Sequence, residues 1–315
     1  MKKTYPWTTL PAPLLPLTKK PINCLLLIDP QKENAKALAY QYQLTTLCQQ
    51  TIDDKPCGHC QACHLIAQEI HPDTLYYEAP LKTAEVRELI TKISKTPVLN
   101  DYRLIYLADI DHYNDYALNA LLKTLEEPPS HSHFILSAST RRAVKPTILS
   151  RSRIINVLQP NTQQALNWLV NQDIEPSKAQ VLLSLFHNNP FQAVALKDKP
   201  EPLQILPDLA QYCAFPQKTL KFLQQLDQYD EKDKLHLLIL NLETLISIIQ
   251  LDTYPQNWHN PHIDKELIKT IDPYRLHSLY AALCRLRLPN QIQINTSATI
   301  RSLLLTQLDN RNLIL

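Results

Sequence analysis

A single glycine, Gly58, stands among 315 residues, where an average chain would carry about 7%. Loops that cradle phosphates need glycine so that backbone amides can approach the anion and turn through positive φ. The shortage therefore predicts that no phosphate loop of the usual kind is built. Net charge is scarce as well: 32 Lys+Arg against 30 Asp+Glu leave +2, so bulk charge gives no argument for a nucleic-acid partner. No apolar run approaches the roughly 18 residues of a membrane span. In the opening "MKKTYPWTTLPAPLLPLTKK", Pro11, Pro13 and Pro16 interrupt any signal-peptide core. The expectation is a cytoplasmic chain with no membrane contact, in a compartment where thiols stay reduced.

What is present suffices for real cores: 44% of residues are hydrophobic, and the length predicts two or three domains. Five short apolar or branched runs read as buried strands: Cys24–Asp29, Thr74–Tyr77, Leu104–Ala108, Phe134–Ala138 and Ile154–Val157. Helical patterns lie between them at Lys32–Cys48, Thr83–Ser94 and Tyr116–Glu126, the last stopped by Pro128-Pro129. Strands alternating with helices predict an α/β domain with a mostly parallel, five-stranded sheet over residues 1–158. Beyond Pro160 the pattern is helical. Two short helices, Gln163–Asn171 and Ser177–His187, predict a small domain over 159–205, closed by the Lys- and Pro-rich "LKDKPEPLQILP". Longer amphipathic helices at Lys218–Tyr229, Glu231–Leu251, Asp264–Leu288 and Ala298–Leu308 predict an all-α domain over 206–315.

Four of the seven cysteines, Cys48, Cys57, Cys60 and Cys63, fall in "LCQQTIDDKPCGHCQACHLI", spaced C-x8-C-x2-C-x2-C. In a reducing compartment that spacing predicts metal rather than disulfides. Four thiolates complete a zinc tetrahedron with no open position, which makes the site structural. His59 and His64 lie close enough in sequence to be substitute ligands. Gly58 falls between the second and third ligands, where the chain must turn tightly. Cys24, Cys213 and Cys284 stand alone and read as core residues.

The first strand runs into "PQKENAKAL" and then a helix, the context in which a phosphate loop would sit. Its glycines and its Lys-Ser/Thr pair are missing; Lys32 and Lys36 read as solvated helix-start residues. "LIYLADID" ends a strand with Asp109, as a magnesium-binding aspartate would be presented, but Ile110 replaces the acid expected next. Arg141, Arg142 and Lys145 form a basic cluster with two readings, a contact to a phosphate backbone and a solvated surface, of which the second is the expectation.

The segments "HPDTLYYEAPLKTAEVRELITKISKTP", "DYRLIYLADIDHYNDYALNALLKTLEEPPSHSHFILSAS" and "TILSRSRIINV" resemble bacterial clamp-loader subunits of the AAA+ class. The glycine-poor "CLLLIDPQKENAK" and the opening "YPW" are most similar to the delta-prime branch of that family, and the cysteine spacing resembles its zinc module. The resemblance covers residues 5–158 and is faint beyond, at "INTSATIRSLLLTQL". It implies an AAA+ domain carrying a zinc module at 48–63, a small helical lid and a helical collar through which hetero-oligomers form. It also implies partners: tau/gamma and delta subunits, and through them the sliding clamp and primed DNA. The chain would bind no ATP and hydrolyse none on its own. Ser150-Arg151-Ser152 occupies the place of the family's Ser-Arg-Cys motif, which makes Arg151 an arginine finger reaching a neighbour's ATP, with Ser150 and Ser152 as its frame. The residues leave two other readings open: an ATP-binding motor subunit of tau/gamma type, and a zinc-containing DNA-binding protein.

Overall fold

The computed structural model describes residues 5–12, 14–19, 21–129, 131–186, 188–198, 205–215, 231–251, 265–286 and 296–307, together with 222, 224, 226, 227 and 229. The expected helix Lys218–Tyr229 lies largely outside these residues, as do much of the linker at 197–206 and the ends of the expected helices at 264, 287–288 and 308. The chain divides into two compact units, Met1–Gln164 and Ala165–Leu315.

The first unit is built on five parallel strands: β1 (Cys24–Ile28), β2 (Thr74–Tyr77), β3 (Arg103–Leu107), β4 (Ser132–Ala138) and β5 (Arg153–Asn156). Their order across the sheet is β2-β3-β4-β1-β5. All five residues of β1 and of β3 are buried, as expected of strands covered on both faces. Alternate residues part to opposite sides. Leu26, Ile105, Phe134 and Leu136 pack with Val86, Leu89, Leu118 and Leu121, which come from helices α4 (Thr83–Ile93) and α5 (Asp115–Glu126). Leu25, Leu27, Tyr106 and Ile135 pack with Ala35, Leu38 and Tyr42 of α2 (Glu33–Leu47). The short helices α1 (Leu15–Lys19), α3 (Gln61–Ala67) and α6 (Pro146–Leu149) complete the unit. Helix α5 starts where the Asn114 side chain accepts the Ala117 N–H at 2.8 Å.

The turn from α4 into β3 is fastened from inside. The Asp73 carboxylate, fully buried, accepts the N–H groups of Val98, Leu99 and Asn100 at 2.7, 2.7 and 3.0 Å. Arg103, 5% exposed, donates to the carbonyls of Lys92, Lys95 and Thr96 at the end of α4 and lies 3.8 Å from Asp73. Truncating one partner of a buried ion pair strands the other charge and three carbonyls. Arg103→Ala should therefore destabilise the first unit by about 3–5 kcal/mol, read as a lower denaturant midpoint at unchanged slope.

Two histidines, His71 buried and His133 half-buried, make stability depend on pH. His71 Nδ1 accepts the Asp73 N–H at 3.1 Å, and His133 Nδ1 donates to the Ile22 carbonyl at 3.0 Å. Burial pushes both pKa values below the usual 6.5, more strongly than the Asp73 charge raises the first. The folded state thus binds these protons less readily than the unfolded chain. Their contribution is complete above about pH 6.5 and is lost as pH falls through the lower, folded values. Denaturant midpoints recorded from pH 8 down to pH 5 should fall over that range, and less steeply for His71→Gln.

The second unit is helical: α7 (Thr162–Val170), which begins just before the division, α8 (Pro176–Leu185), α9 (Pro190–Ala195), α10 (Ile205–Ala214), α11 (Glu231–Leu251), α12 (Lys265–Lys269), α13 (Pro273–Leu286) and α14 (Thr296–Gln307). One apolar cluster runs through it from Ala165 to Leu304. Cys213 and Cys284 pack against that cluster and Cys24 is buried in the sheet. The single helix expected over Asp264–Leu288 is two. Pro273 has no N–H to continue a helix, and Asp272 caps the new one by accepting the Tyr274 N–H at 2.9 Å. Helix α9, six residues long, is too short to show a period in the sequence, and α10 starts inside the Pro-rich stretch that reads as a linker. Among the described residues, no helix is long and apolar enough to cross a membrane.

Apart from the one at Gly58, the described turns at positive φ are made without glycine. Eight other residues have positive φ among the described ones: Lys32, Asp53, Asp54, Glu69, Asp109, His131, Asp173 and Asn188. Glu69 closes α3 with paired bonds, its own N–H to Ile66 O and Ile70 N–H to Leu65 O, and Asp173 closes α7 the same way with Val170 and Leu169. That is the arrangement in which glycine is the usual residue.

Candidate functional sites

Helix α2 ends at Leu47 and hands Cys48 to the loop in extended geometry. A two-residue turn through Asp53 and Asp54, closed by reciprocal bonds between Ile52 and Lys55 of 2.9 Å, reverses the chain. Gly58 then turns it again at φ +76°, with nothing within 4 Å of where a Cβ would stand. Backbone conformation rather than space favours glycine there. Cys60 precedes α3 and Cys63 lies in its first turn. The four Sγ atoms of Cys48, Cys57, Cys60 and Cys63 lie within 4.8 Å of one another. Cys48 to Cys60 and Cys57 to Cys63 are each 4.0 Å, close to the edge of about 3.8 Å that a tetrahedron with 2.3 Å bonds requires. All four are free thiols. The Cys57 N–H points at Cys48 Sγ and the Cys60 N–H at Cys57 Sγ, both at 3.3 Å. At Cys60 burial works to raise the thiol pKa, but the Cys63 and Gln49 amides and the neighbouring thiols outweigh it and bring it to about 6. Burial raises that of Cys48 and Cys63. The donor set fits a closed, four-coordinate metal ion. His59 turns its Nδ1 to the Cys57 carbonyl at 2.9 Å and His64 is exposed; neither joins the group.

A second constellation lies where β1 meets α2. The Asp29 carboxylate is fully buried. It accepts the Gln31 N–H at 3.0 Å, the Ala35 N–H at 2.7 Å and the Gln159 amide at 3.0 Å. A side-chain anion thus takes one amide in the first turn of α2, that of Ala35, and one just before it, that of Gln31, where an outside anion would otherwise sit. Trp7 Nε1–H donates to Asn34 Oδ1 at 2.6 Å, and Asn34 donates to Gln159 at 3.0 Å, tying the opening segment to the same loop. Lys32 is not the solvated residue expected. Its ammonium lies 2.9 Å from Asp109 and 3.3 Å from His112 Nε2, because φ of +66° swings its side chain back over the end of β3. Lys36 pairs with Glu33 at 2.6 Å. Ile110 is buried.

The third is the turn after α6. Ser150 Oγ donates to the Thr147 carbonyl at 3.1 Å. Ser152 Oγ donates to the Ile148 carbonyl at 2.8 Å and sits 3.1 Å from Cys24 Sγ. The two serines fasten the turn, while Arg151 remains at the surface, its side chain 35% exposed. Its guanidinium meets Glu126 Oε1 at 2.6 Å and donates to Thr147 O at 2.9 Å and Ser150 Oγ at 3.2 Å. Arg153 is exposed on β5, Arg141 and Arg142 are exposed, and Lys145 pairs with Asp115 at 2.6 Å. Sequence reading missed Glu126 and the cap made by Asp29. The signal for Asp29 was an acid where a phosphate loop would begin.

Residues 17–161 match the family model described as DNA polymerase III, delta subunit. The DNA polymerase III subunit delta' of Escherichia coli is 30% identical over 281 residues, which cover 85% of this chain and 84% of that one. Its Pseudomonas aeruginosa counterpart is 30% identical over 203 residues, 62% of each chain. The tau subunit of Bacillus subtilis is 28% identical over 167 residues, 52% of this chain and 30% of that one.

Proposed function

The chain belongs to the family of DNA polymerase III delta-prime subunits, and from that premise we propose that it is a clamp-loader subunit that does not hydrolyse ATP itself. It acts as a stator that assembles with tau/gamma and delta subunits, and through them helps load the sliding clamp on primed DNA during replication. The AAA+ domain is followed by a small helical lid over 159–205 and a collar over 206–315 that holds the hetero-oligomer together. The complex works in the cytoplasm, and no membrane takes part.

The observation that carries the non-hydrolysing role is Asp29. A buried carboxylate already holds the Gln31 N–H before α2 and the Ala35 N–H in its first turn, so a phosphate there would meet negative charge. The Lys32 ammonium on Asp109 likewise takes the carboxylate that a magnesium ion would need. Calorimetry on the isolated chain should register no ATP binding with or without magnesium. Micromolar, magnesium-dependent affinity would favour a tau/gamma-type motor instead.

Catalysis by this chain is exerted on a neighbour. Arg151 is the arginine finger: the planar fork of its guanidinium can meet phosphate oxygens. The Ser150 and Ser152 bonds hold the turn that presents it. Zinc is the ion that Cys48, Cys57, Cys60 and Cys63 hold, one per chain, and when bound it supplies a structural cross-link with no open position for chemistry. The four cysteines join the end of α2 to the start of α3.

A further inference from the structure

We propose that Glu126 parks the Arg151 guanidinium in the free subunit, and that docking against the neighbour's phosphate exchanges one anion for the other. The inference rests on Arg151 being the finger. Its ground is the 2.6 Å contact between Arg151 and Glu126 Oε1, backed by the bonds of the same guanidinium to Thr147 O and Ser150 Oγ.

Helix energetics do not account for a glutamate at that position. Glu126 is the last residue of α5, where the negative end of the helix dipole disfavours a carboxylate. What stabilises it there is Arg151. The same helix also holds the other end of the segment that carries the finger. Asp115, the first residue of α5, pairs with Lys145 just before α6, at 2.6 Å. Twelve residues of α5, about 18 Å of helix, therefore bracket residues 145–151 with one ion pair at each end.

The two pairs differ in consequence. An arginine finger acts through charge that is not already neutralised at the moment of reaction. With a carboxylate on one edge, Arg151 offers a phosphate little net charge. The Glu126 contact must open for the finger to work, and it is suited to opening, since the two side chains are 35% and 46% exposed and exposed pairs are weak. Parking lowers the activity of the resting complex and yields to a properly seated phosphate.

The test compares Glu126→Gln, Arg151→Ala and the double variant in the assembled complex, with side-chain nitrogen NMR of Arg151 in the free full-length chain. In the free chain, Glu126→Gln should speed exchange of the Arg151 guanidinium protons. In the complex without clamp or DNA it should raise ATP hydrolysis about two- to five-fold, the range an exposed pair allows. The double variant should fall to the level of Arg151→Ala, because the gain passes through the arginine. Unchanged Arg151 exchange overturns the proposal. So does hydrolysis that stays level or drops in Glu126→Gln while Arg151→Ala lowers it. If Arg151→Ala alone is silent, the finger reading has failed, and an Arg151 exchange that still responds to Glu126 marks a plain surface ion pair.

Discussion

Replacing Arg151 by alanine should leave this chain folded and assembled while hydrolysis at the one ATP site it faces falls by roughly 10³–10⁵. The folded state loses little, because the side chain is 35% exposed and its partner Glu126 is 46% exposed, and pairs of that kind are worth about 0–1 kcal/mol. On the proposed finger reading, the neighbour would lose the cation that meets charge building on its γ-phosphate. Whole-complex hydrolysis should drop far less if the sites fire independently, and clamp loading should suffer more than bulk turnover if they fire in order. Arg153→Ala is the control, since Arg153 lies two residues on, within β5, and its side chain should not reach the same phosphate. Identical, near-wild-type hydrolysis and loading in both variants would return Arg151 to the status of a surface charge.

The second large effect is loss of the metal. The purified chain should carry one equivalent of zinc, and Cys57→Ser or a strong chelator should bring it well below one. Structural zinc is worth on the order of 10 kcal/mol to the segment it organises. Between α2 and α3 there is little else to hold the backbone: Thr51, Ile52, Asp53, Asp54 and Lys55 are all exposed. Hydrogen exchange should accelerate over residues 48–69, with protection in β1, β3 and β4 largely kept, because apart from Ile66 against Leu104 of β3 their cores are formed by residues outside that segment. A metal content under one equivalent that Cys57→Ser leaves unchanged would refute the site.

The strands and the cysteine set were legible because each depends on short-range pattern. Runs such as "CLLLI" and the "LIYLA" that starts at Leu104 are buried on both faces, so they appear in the sequence as unbroken apolar stretches, and cysteines at close spacing must meet around a tight turn. What escaped depends on partners far apart along the chain. Lys32 and Asp109 are separated by 77 positions, and Asp29 and Gln159 by 130; no local pattern pairs them. Glu126 stood in plain view within the "TLEEPP" motif, yet its link to Arg151 needs the fold to bring α5 beside α6. The break at Asp272 was overridden by apolar spacing on both sides of it, although Pro273 marked it.

The left-handed residues have a consequence for the chain when it is not folded. An L-residue in that conformation carries strain of roughly 1–2 kcal/mol that glycine would not, and eight described positions carry it. The same substitutions narrow the denatured ensemble, because each residue with a Cβ has fewer conformations to lose than glycine, worth about 0.4–1 kcal/mol per position. With 24 prolines against one glycine, the unfolded polypeptide is a stiff one throughout. Part of what keeps this protein folded is thus the poverty of its alternatives, and glycine placed at Glu69 or Asp173 would relieve native strain while enlarging the competing disorder.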